Sequence, residues 1–397
     1  MLDEVIQLDK KYYLNTFGDR LPVCFEKGEG MKLFDDKGNT YYDFLGGIAV
    51  NALGHGHKDF INALKNQLDK VVHTSSLYYI ENQAKLAQKL VENTCAEKAF
   101  FANSGAEANE GAFKLAKIYY YKKGLDKYEI ITLDKSFHGR TLATVAATGQ
   151  EKYQKPYRPL TPGFKQVEPN NFKAIEDAVT DKTAAIMIEL IQGESGVHPM
   201  DKEYVEKLRK LCDEKDIILI FDEVQTGMGR TGYLFAHQMY GVEPDIFTSA
   251  KALGGGIPIG AVCAGKKVAS AFEPGDHGTT FGGNPFATAA GLAVFDIFEK
   301  EHLVENAGKM GKYFKEKLTE LQNKYSDKIT DVRNAGLLIG IQLEDSIAKT
   351  VFNKLFENKM LTSFCGGNTI RIAPPLIIKE TDIDLFINTL SSILEEI

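Results

Sequence analysis

Residues 217–251 read IILIFDEVQTGMGRTGYLFAHQMYGVEPDIFTSAK. In this stretch an apolar run ends on an acid, Asp222, and a second apolar run ends on a lysine, Lys251. Short apolar runs bounded by polar residues predict strands that are buried on both faces of a sheet. Their polar ends would lie at one edge of an open α/β sheet, where such folds bind ligands. A lysine there can form a Schiff base with a carbonyl compound, and an acid there can keep a pyridinium nitrogen protonated.

Composition and charge exclude several classes of protein. The chain has 397 residues, of which 44% are hydrophobic and 25% charged, as is typical of a globular enzyme. The net charge of −7, with Lys and Arg dispersed, argues against nucleic acid as the main partner. The five cysteines include no CxxC pair, so neither a disulfide framework nor a metal site is predicted. Because no signal peptide and no bilayer-spanning apolar run is recognisable, we expect a cytoplasmic protein without membrane contact.

The order of the predicted elements indicates an α/β fold with two domains. A small antiparallel meander is predicted for residues 21–44 and helix for 57–91, and a long helix covers 287–325 before late strands and a closing helix. Between them, short strands alternate with helices, which predicts a mostly parallel sheet covered on both faces. The predicted strands of this sheet are residues 99–102, 129–133, 184–190, 217–221, 246–249 and 259–264. We expect a large domain at 53–284 and a smaller α+β domain built from 1–52 and 285–397.

Two turns after predicted strands carry residues suited to a cofactor. SGAEAN, residues 104–109, opens a helix whose free N–H groups and dipole suit a phosphate, although Ser104 could serve only as an N-cap. In FHGR, residues 137–140, Phe137 either stacks on a planar ring or belongs to the core. Arg140 either binds a carboxylate at two points or forms a surface ion pair.

Two loops carry further candidate residues. ELIQGESGV, residues 189–197, places Glu194 in a glycine-flanked turn. Its carboxylate could neutralise an arginine such as Arg371 until a charged substrate displaces it, or it could simply be solvated. HGTTFGGN, residues 277–284, has two threonines that either complete a phosphate site or shape a turn.

Two glycine-rich matches point to other classes of enzyme. GMGRTG, residues 227–232, fits the dinucleotide fingerprint GxGxxG, but it lies several strands into the sheet instead of in the first strand-to-helix turn. The fingerprint is normally followed by an acidic residue, and Asp245 is close enough to that position to leave a nicotinamide-dependent oxidoreductase as an alternative. GAVCAGKK, residues 260–267, resembles a P-loop, yet Lys267 stands where a Ser or Thr must bind magnesium. A non-catalytic binding protein would have no reason to retain Lys251.

Six motifs together resemble those of the fold-type I pyridoxal-phosphate enzymes, and most closely the class III (ω-) aminotransferases. They are SGAEAN, FHGRT, QGESGV, FDEVQTGMGRTG, AKALGGGIPIGA and TTFGGNP. They occur in the family's order and spacing, and the similarity covers nearly the whole chain. The resemblance implies the fold-type I architecture and an obligate homodimer with shared active sites.

The resemblance implies a site for pyridoxal 5'-phosphate. Lys251 resembles the lysine that binds the cofactor and carries the proton, and Asp222 resembles the acid on the pyridine nitrogen. The other implied contacts are Gly105 and Ala106 with the phosphate, Phe137 and Val224 with the ring faces, Gln225 with the ring hydroxyl, and Thr280 with the phosphate of the neighbouring subunit.

The resemblance also implies a substrate site with two arginines. Arg140 resembles the arginine that binds the α-carboxylate of acetylornithine and the side-chain carboxylate of glutamate. Arg371 resembles the arginine for the α-carboxylate of glutamate, and Glu194 would mask it while the ω-amine donor is bound. Thr279 would lie beside the substrate. Such a switch would let one pocket accept two substrates of different charge.

The residue at position 47 bears on the choice of amino donor. Ornithine aminotransferases carry a tyrosine three positions before a Val-Asn pair, whereas this chain has Gly47. The glycine leaves room for an acylated amino group, as in the family members that act on acetylornithine. The implied reaction transfers the δ-amino group of N-acetylornithine to 2-oxoglutarate in arginine synthesis. Succinylornithine, ornithine and 4-aminobutyrate stay open as alternative donors.

Overall fold

The computed structural model describes all 397 residues of the chain. Its α-helices are α1 Leu2–Tyr12, α2 Gly46–Ala49, α3 Lys58–Leu68, α4 Glu81–Glu92, α5 Gly105–Lys122, α6 Leu142–Ala147, α7 Glu151–Gln154, α8 Phe172–Ala178, α9 Lys202–Glu214, α10 Ala236–Tyr240, α11 Pro285–Glu301, α12 Leu303–Lys324, α13 Asp345–Glu357 and α14 Glu380–Glu396. Short 3₁₀ turns lie at Lys155–Tyr157 and Lys251–Gly254.

The strands form one large sheet and three smaller ones. They are β1 Phe25–Glu29, β2 Lys32–Asp35, β3 Thr40–Asp43, β4 Lys98–Ala102, β5 Glu129–Leu133, β6 Phe164–Val167, β7 Thr183–Ile188, β8 Ile191–Gln192, β9 His198–Pro199, β10 Ile218–Asp222, β11 Ile246–Ser249, β12 Gly260–Ala264, β13 Ile329–Ala335, β14 Leu338–Leu343, β15 Met360–Leu361, β16 Ser363–Cys365 and β17 Thr369–Ile372.

The large sheet has the strand order β4-β12-β11-β10-β7-β5-β6. Only β12 runs antiparallel to its two neighbours, and every other pairing in the sheet is parallel. All residues of β7, β10, β11 and β12 are buried, because helices cover both faces of the sheet. The predicted α/β fold with a mostly parallel sheet is confirmed.

Both ends of the chain contribute to a smaller sheet. The predicted meander is present as β1, β2 and β3, and the C-terminal strand β15 adds to β3 in parallel. A separate antiparallel sheet has the order β13-β14-β17-β16. A domain built from both ends of the chain requires such pairing between N-terminal and C-terminal segments. The domain boundaries themselves, 53–284 for the large domain and 1–52 with 285–397 for the small one, stay a prediction.

Two predicted helices are wrong in extent. The helix expected over 287–325 is two helices, α11 and α12, because His302 between them adopts a left-handed φ of 51°. The helical region expected over 57–91 ends at Leu68 and resumes at Glu81. Most apolar residues in that gap are exposed, including Leu77 at 86%, and only Ile80, next to the second helix, is buried. Their periodicity therefore does not reflect packing within this chain.

Among the strands of four or more residues, two escape the sequence prediction. Phe164–Val167 forms the edge of the large sheet, and its sequence FKQV is too short and polar to stand out. Ile329–Ala335 pairs with β14 in an antiparallel hairpin, although its sequence ITDVRNA is largely polar. Both segments become strands because they pair with other strands that are distant or follow later in the chain.

No helix of the structure combines the length and the apolar character needed to cross a membrane.

Candidate active site

The acid and the lysine that end the two central runs lie at the same edge of the large sheet. Asp222 is the last residue of β10, and it pairs in register with Thr248 of the adjacent parallel strand β11. Lys251 follows two residues after the end of β11, where its φ of 47° turns the chain away from the sheet. Both side chains line one cavity of about 410 Å³.

This cavity gathers most of the residues that the sequence singles out. Those in its wall are Gly105, Ala106, Phe137, Arg140, Asp222, Val224, Gln225 and Lys251. They come from the N-terminus of α5 and from loops after β5, β10 and β11. Loops after parallel strands meet at one edge of the sheet, so residues far apart in sequence converge there.

Asp222 is buried and held by a network of hydrogen bonds. Its Oδ2 accepts from Asn109 Nδ2 at 2.8 Å and lies 2.7 Å from His138 Nδ1, and its Oδ1 accepts from the backbone N–H of Val224 at 3.0 Å. Thr248 Oγ1 donates to Asn109 Oδ1 at 2.7 Å and thereby orients that amide. Burial opposes the charge of His138, but the hydrogen bond to Asp222 raises the pKa of the imidazole overall. The network fixes the carboxyl group at the cavity wall.

The Lys251 amine faces the cavity in an environment that disfavours its charge. Burial lowers the pKa of Lys251 to about 8, and the positive charge of Arg371 acts in the same direction. Glu189, also in the cavity wall, accepts a hydrogen bond from the backbone N–H of Phe137 at 2.8 Å. Burial raises the pKa of Glu189 to about 7. A lysine with a lowered pKa is a ready nucleophile and proton carrier near neutral pH.

The start of α5 offers backbone N–H groups to the cavity. Ser104 is the N-cap, and its hydroxyl accepts from Glu107 N at 3.2 Å. The following N–H groups of Gly105 and Ala106 have no partner within the helix, because the first turn of a helix leaves its donors free. A Cβ on Gly105 would lie 2.8 Å from Val224 Cγ1, so glycine lets Val224 pack against the helix start.

The guanidinium of Arg140 is exposed at the cavity and pairs with no carboxylate of the chain. Its Cζ lies 3.9 Å from the ring centroid of Tyr153 and 5.6 Å from that of Phe137. The two rings meet edge-on, with centroids 5.9 Å apart. Stacking on an aromatic face orients a guanidinium while its N–H donors stay available to a carboxylate.

Arg371 lies beside the cavity and is paired. Its side chain is 3% exposed, and Nη1 donates to Glu194 Oε1 at 2.6 Å. The same nitrogen donates to Gln225 Oε1 at 3.2 Å, which links the pair to the cavity wall. Burial opposes ionisation of Glu194, yet Arg371 lowers the pKa of this carboxyl group overall.

Besides Glu194 and Arg371, three residues discussed for the site lie outside this cavity. Thr279 accepts a hydrogen bond from Asn103 Nδ2 at 3.3 Å and so stands next to the wall. Thr280 is exposed and does not reach the cavity of its own chain. Gly47 is exposed in a left-handed turn with a φ of 63°, and Val50 lines the cavity in its place. The predicted roles of all three stay predictions.

The donor set fits pyridoxal phosphate. The wall offers an acid for a pyridine nitrogen, an amine of lowered pKa for an aldehyde, and free N–H groups for a phosphate. Phe137 and Val224 offer surfaces for a flat ring. No cluster of His, Cys, Asp and Glu suited to a metal ion is present.

The dinucleotide match has no place in this cavity. None of the residues 227–232 lines it. Arg230 is instead 1% exposed and donates to the carbonyl oxygens of Leu337 at 3.2 Å and Pro374 at 2.6 Å. The motif ties the large sheet to the C-terminal part of the chain, and the nicotinamide alternative receives no support from it.

Four residues of the site carry no role in the sequence prediction. His138 and Asn109 lie within motifs whose predicted roles fall on neighbouring residues, and Glu189 directly follows the buried strand β7, which ends at Ile188. That position at a strand end was a usable signal. Tyr153 gave none, because only the tertiary structure brings it to Arg140.

Comparisons with known proteins agree with this geometry. The family model "Aminotransferase class-III" matches residues 13–394. Acetylornithine aminotransferase of Methanocaldococcus jannaschii is 51% identical over 99% of this chain and 98% of its own length. The protein of that name from Caldanaerobacter subterraneus subsp. tengcongensis is 48% identical over 99% of this chain and 100% of its own.

Solved structures lead to the same family. The ornithine aminotransferase from Toxoplasma gondii ME49 superposes with a TM-score of 0.95 at 30% identity, covering 100% of this chain and 95% of its own. The acetylornithine aminotransferase from Elizabethkingia anophelis gives 0.88 at 34% identity, covering 100% of this chain and 99% of its own. The predicted fold-type I architecture is thereby confirmed. The chain belongs to the class III aminotransferases, a family of pyridoxal-phosphate-dependent enzymes.

Proposed function

We propose that this enzyme binds pyridoxal 5'-phosphate and transfers the δ-amino group of N2-acetyl-L-ornithine to 2-oxoglutarate. The products are N-acetyl-L-glutamate 5-semialdehyde and L-glutamate, as needed in arginine synthesis. One observation carries the proposal: beside the Lys251 cavity, Arg140 is unpaired while Arg371 is masked by Glu194. The near full-length relatives named acetylornithine aminotransferase support the choice of donor.

Two residues act on the reacting atoms. The chemistry that bound pyridoxal phosphate supplies is an aldehyde carbon for the amino group and a protonated ring that draws in electron density. Asp222 would hold the proton on the pyridine nitrogen, and His138 and Asn109 hold Asp222 in place. Lys251 Nζ removes the proton from the substrate carbon that carries the amino group. Its lowered pKa leaves part of the amine free for this step near neutral pH.

Other residues hold the cofactor without taking part in proton transfer. The N–H groups of Gly105 and Ala106 would bind the phosphate at the positive end of α5. Phe137, Val224 and Gln225 line the same cavity, where the first two would enclose the ring and Gln225 would contact its hydroxyl group. Gln225 is also bonded to Arg371, so the cofactor site and the substrate site share this amide.

The two arginines divide the recognition of substrates. Arg140 binds the α-carboxylate of acetylornithine, and Glu194 meanwhile neutralises Arg371. With glutamate, Arg140 binds the side-chain carboxylate, and the α-carboxylate displaces Glu194 from Arg371. Thr279 lies beside the substrate. A buried arginine needs a negative partner in both half-reactions, and this exchange supplies one each time.

The active form is a homodimer in which Thr280 reaches the phosphate of the neighbouring subunit. Thr280 is exposed here, as a residue with a function in another chain must be. Large apolar residues close to it or in the 69–80 gap are also exposed, including Leu77, Tyr79 and Phe281. Burying them against a second copy removes apolar surface from water, which stabilises the dimer.

The proposed amino donor is tested best by a direct comparison of candidate donors. We expect kcat/KM for acetylornithine to exceed the values for succinylornithine, ornithine and 4-aminobutyrate in side-by-side assays with 2-oxoglutarate. Borohydride reduction of the coloured holoenzyme should fix the cofactor on Lys251, as read by peptide mass. A colourless protein that binds NADH instead would overturn the proposal, and a preference for ornithine would overturn the choice of donor.

A further inference from the structure

A second cavity has Glu194 in its wall. It measures about 460 Å³, has no hydrophobic residue in its lining, and shares no lining residue with the first cavity. Lys135 and Lys152 also line it. Glu194 thus stands between two environments, because its carboxylate bonds to Arg371 while the residue borders a polar, water-accessible space.

The two lysines are free to receive a negative charge. Both are exposed, and neither forms an ion pair within the chain. Lys152 Nζ lies 4.7 Å from the ring centroid of Tyr153, and Lys135 occupies a left-handed turn with a φ of 64°. Two ammonium groups beside a single carboxylate make this cavity a favourable place for that carboxylate.

The backbone that follows Glu194 is clamped. Arg333 donates from Nε and Nη2 to the carbonyl oxygen of Gly196 at 3.0 and 2.8 Å, and from Nε to that of Val197 at 3.1 Å. These bonds hold the loop against β13. The carboxylate of Glu194 can therefore leave Arg371 by rotation about its own side-chain bonds, without a shift of the loop.

We propose that this second cavity receives the Glu194 carboxylate whenever a substrate carboxylate takes its place on Arg371, and that Lys135 and Lys152 stabilise it there. The inference rests on the proposed exchange at Arg371 and names where the displaced charge goes. The lysines then favour the half-reaction with glutamate and have no part in the half-reaction with acetylornithine, in which Glu194 stays on Arg371.

The test is the double variant Lys135→Met/Lys152→Met, measured as holoenzyme in single half-reactions followed by cofactor absorbance. Because an exposed ion pair is worth up to about 1 kcal/mol, which is about fivefold, kcat/KM for glutamate should fall about fivefold, with the value for acetylornithine unchanged. Lys165→Met is the matched control, since Lys165 is exposed, unpaired and outside both cavities.

The lysines could instead attract anionic substrates from solution, and a double-mutant cycle separates the two effects. In a Glu194→Gln background, our proposal expects the lysine substitutions to lose their effect on glutamate. An undiminished effect in that background, or no effect in the wild type, overturns it. If Glu194→Gln by itself leaves the preference between the two substrates unchanged, the exchange under the proposed function fails instead.

Discussion

Arg371 and Glu194, separated by 177 residues, form a hydrogen-bonded ion pair of 2.6 Å at the edge of the active-site cavity. The arginine is almost fully buried, whereas the Glu194 side chain is 26% exposed. Removing one partner of such a pair leaves an uncompensated charge, which costs far more than the pair contributes. The pair therefore suits an exchange in which another carboxylate replaces Glu194.

Replacing Glu194 with Ala should alter substrate preference. The unmasked Arg371 would bind any carboxylate offered to it, so the ratio of kcat/KM for acetylornithine to that for glutamate should fall about tenfold or more. Single half-reactions with each substrate measure this ratio. Glu194→Asp, which retains the charge on a shorter side chain, should lie between Ala and the wild type, and an unchanged ratio in Glu194→Ala would remove the exchange from the mechanism.

Lys251→Ala should abolish turnover and leave the fold intact. Loss of both the nucleophile and the proton carrier predicts a fall in kcat of about 10⁴-fold or more. The variant should also release its cofactor on gel filtration, because no covalent bond retains it. Lys251→Arg, which keeps a positive charge without the amine chemistry, should be equally inactive. Turnover near the wild-type rate in either variant contradicts the role of Lys251.

The pKa of Lys251 sets the pH dependence of cofactor capture. Because this pKa is lowered to about 8, the reactive free amine becomes more abundant as the pH rises through that value. In cofactor-free protein, the rate of borohydride-trapped capture of pyridoxal phosphate should increase about tenfold per pH unit below 8 and then level off. Arg371→Gln removes a neighbouring positive charge and should move the midpoint to higher pH; a downward shift or a midpoint near 10 would exclude this explanation.

Tyr153 should position Arg140. Loss of the stacked ring in Tyr153→Leu is expected to reduce kcat/KM for both acetylornithine and glutamate about two- to fivefold, since an exposed cation–π contact is worth about 0.5–1 kcal/mol. Most of the effect should appear in KM, and the cofactor spectrum should not change. Tyr153→Phe keeps the ring face and should behave as the wild type. Equal losses in Phe and Leu variants would show that the hydroxyl group matters instead.

Mixed dimers can show whether Thr280 acts in the active site of its own subunit or in that of the neighbouring subunit. A dimer of one Lys251→Ala chain and one Thr280→Ala chain has one fully intact site if Thr280 serves the neighbouring subunit. It should then show about half of the wild-type activity with ordinary cofactor affinity. Loss of one hydrogen bond to a charged phosphate weakens binding about tenfold, so action within the same chain would appear as a raised cofactor Kd at the active site.

The sequence determined the fold class and the main strand ends through local patterns. Buried strands such as β10 and β11 are short apolar runs, and an acid or lysine directly after such a run falls at the sheet edge whatever the rest of the chain does. For the same reason the turn before α5 is recognisable from the sequence, since an N-cap and small residues act within one turn of helix. The split of the expected helix at His302 was not visible, because a single left-handed residue leaves the apolar pattern unchanged.

Only the tertiary structure decided which side chains meet. The stacking of Arg140 on Tyr153 and the hydrogen bonds from Asn109 and His138 to Asp222 join segments from different strand ends. The polar cavity beyond Glu194 is lined by segments that lie far apart in sequence. Local sequence patterns specify elements, whereas contacts such as these depend on the order in which the strands pair, and that order sets the geometry of the site.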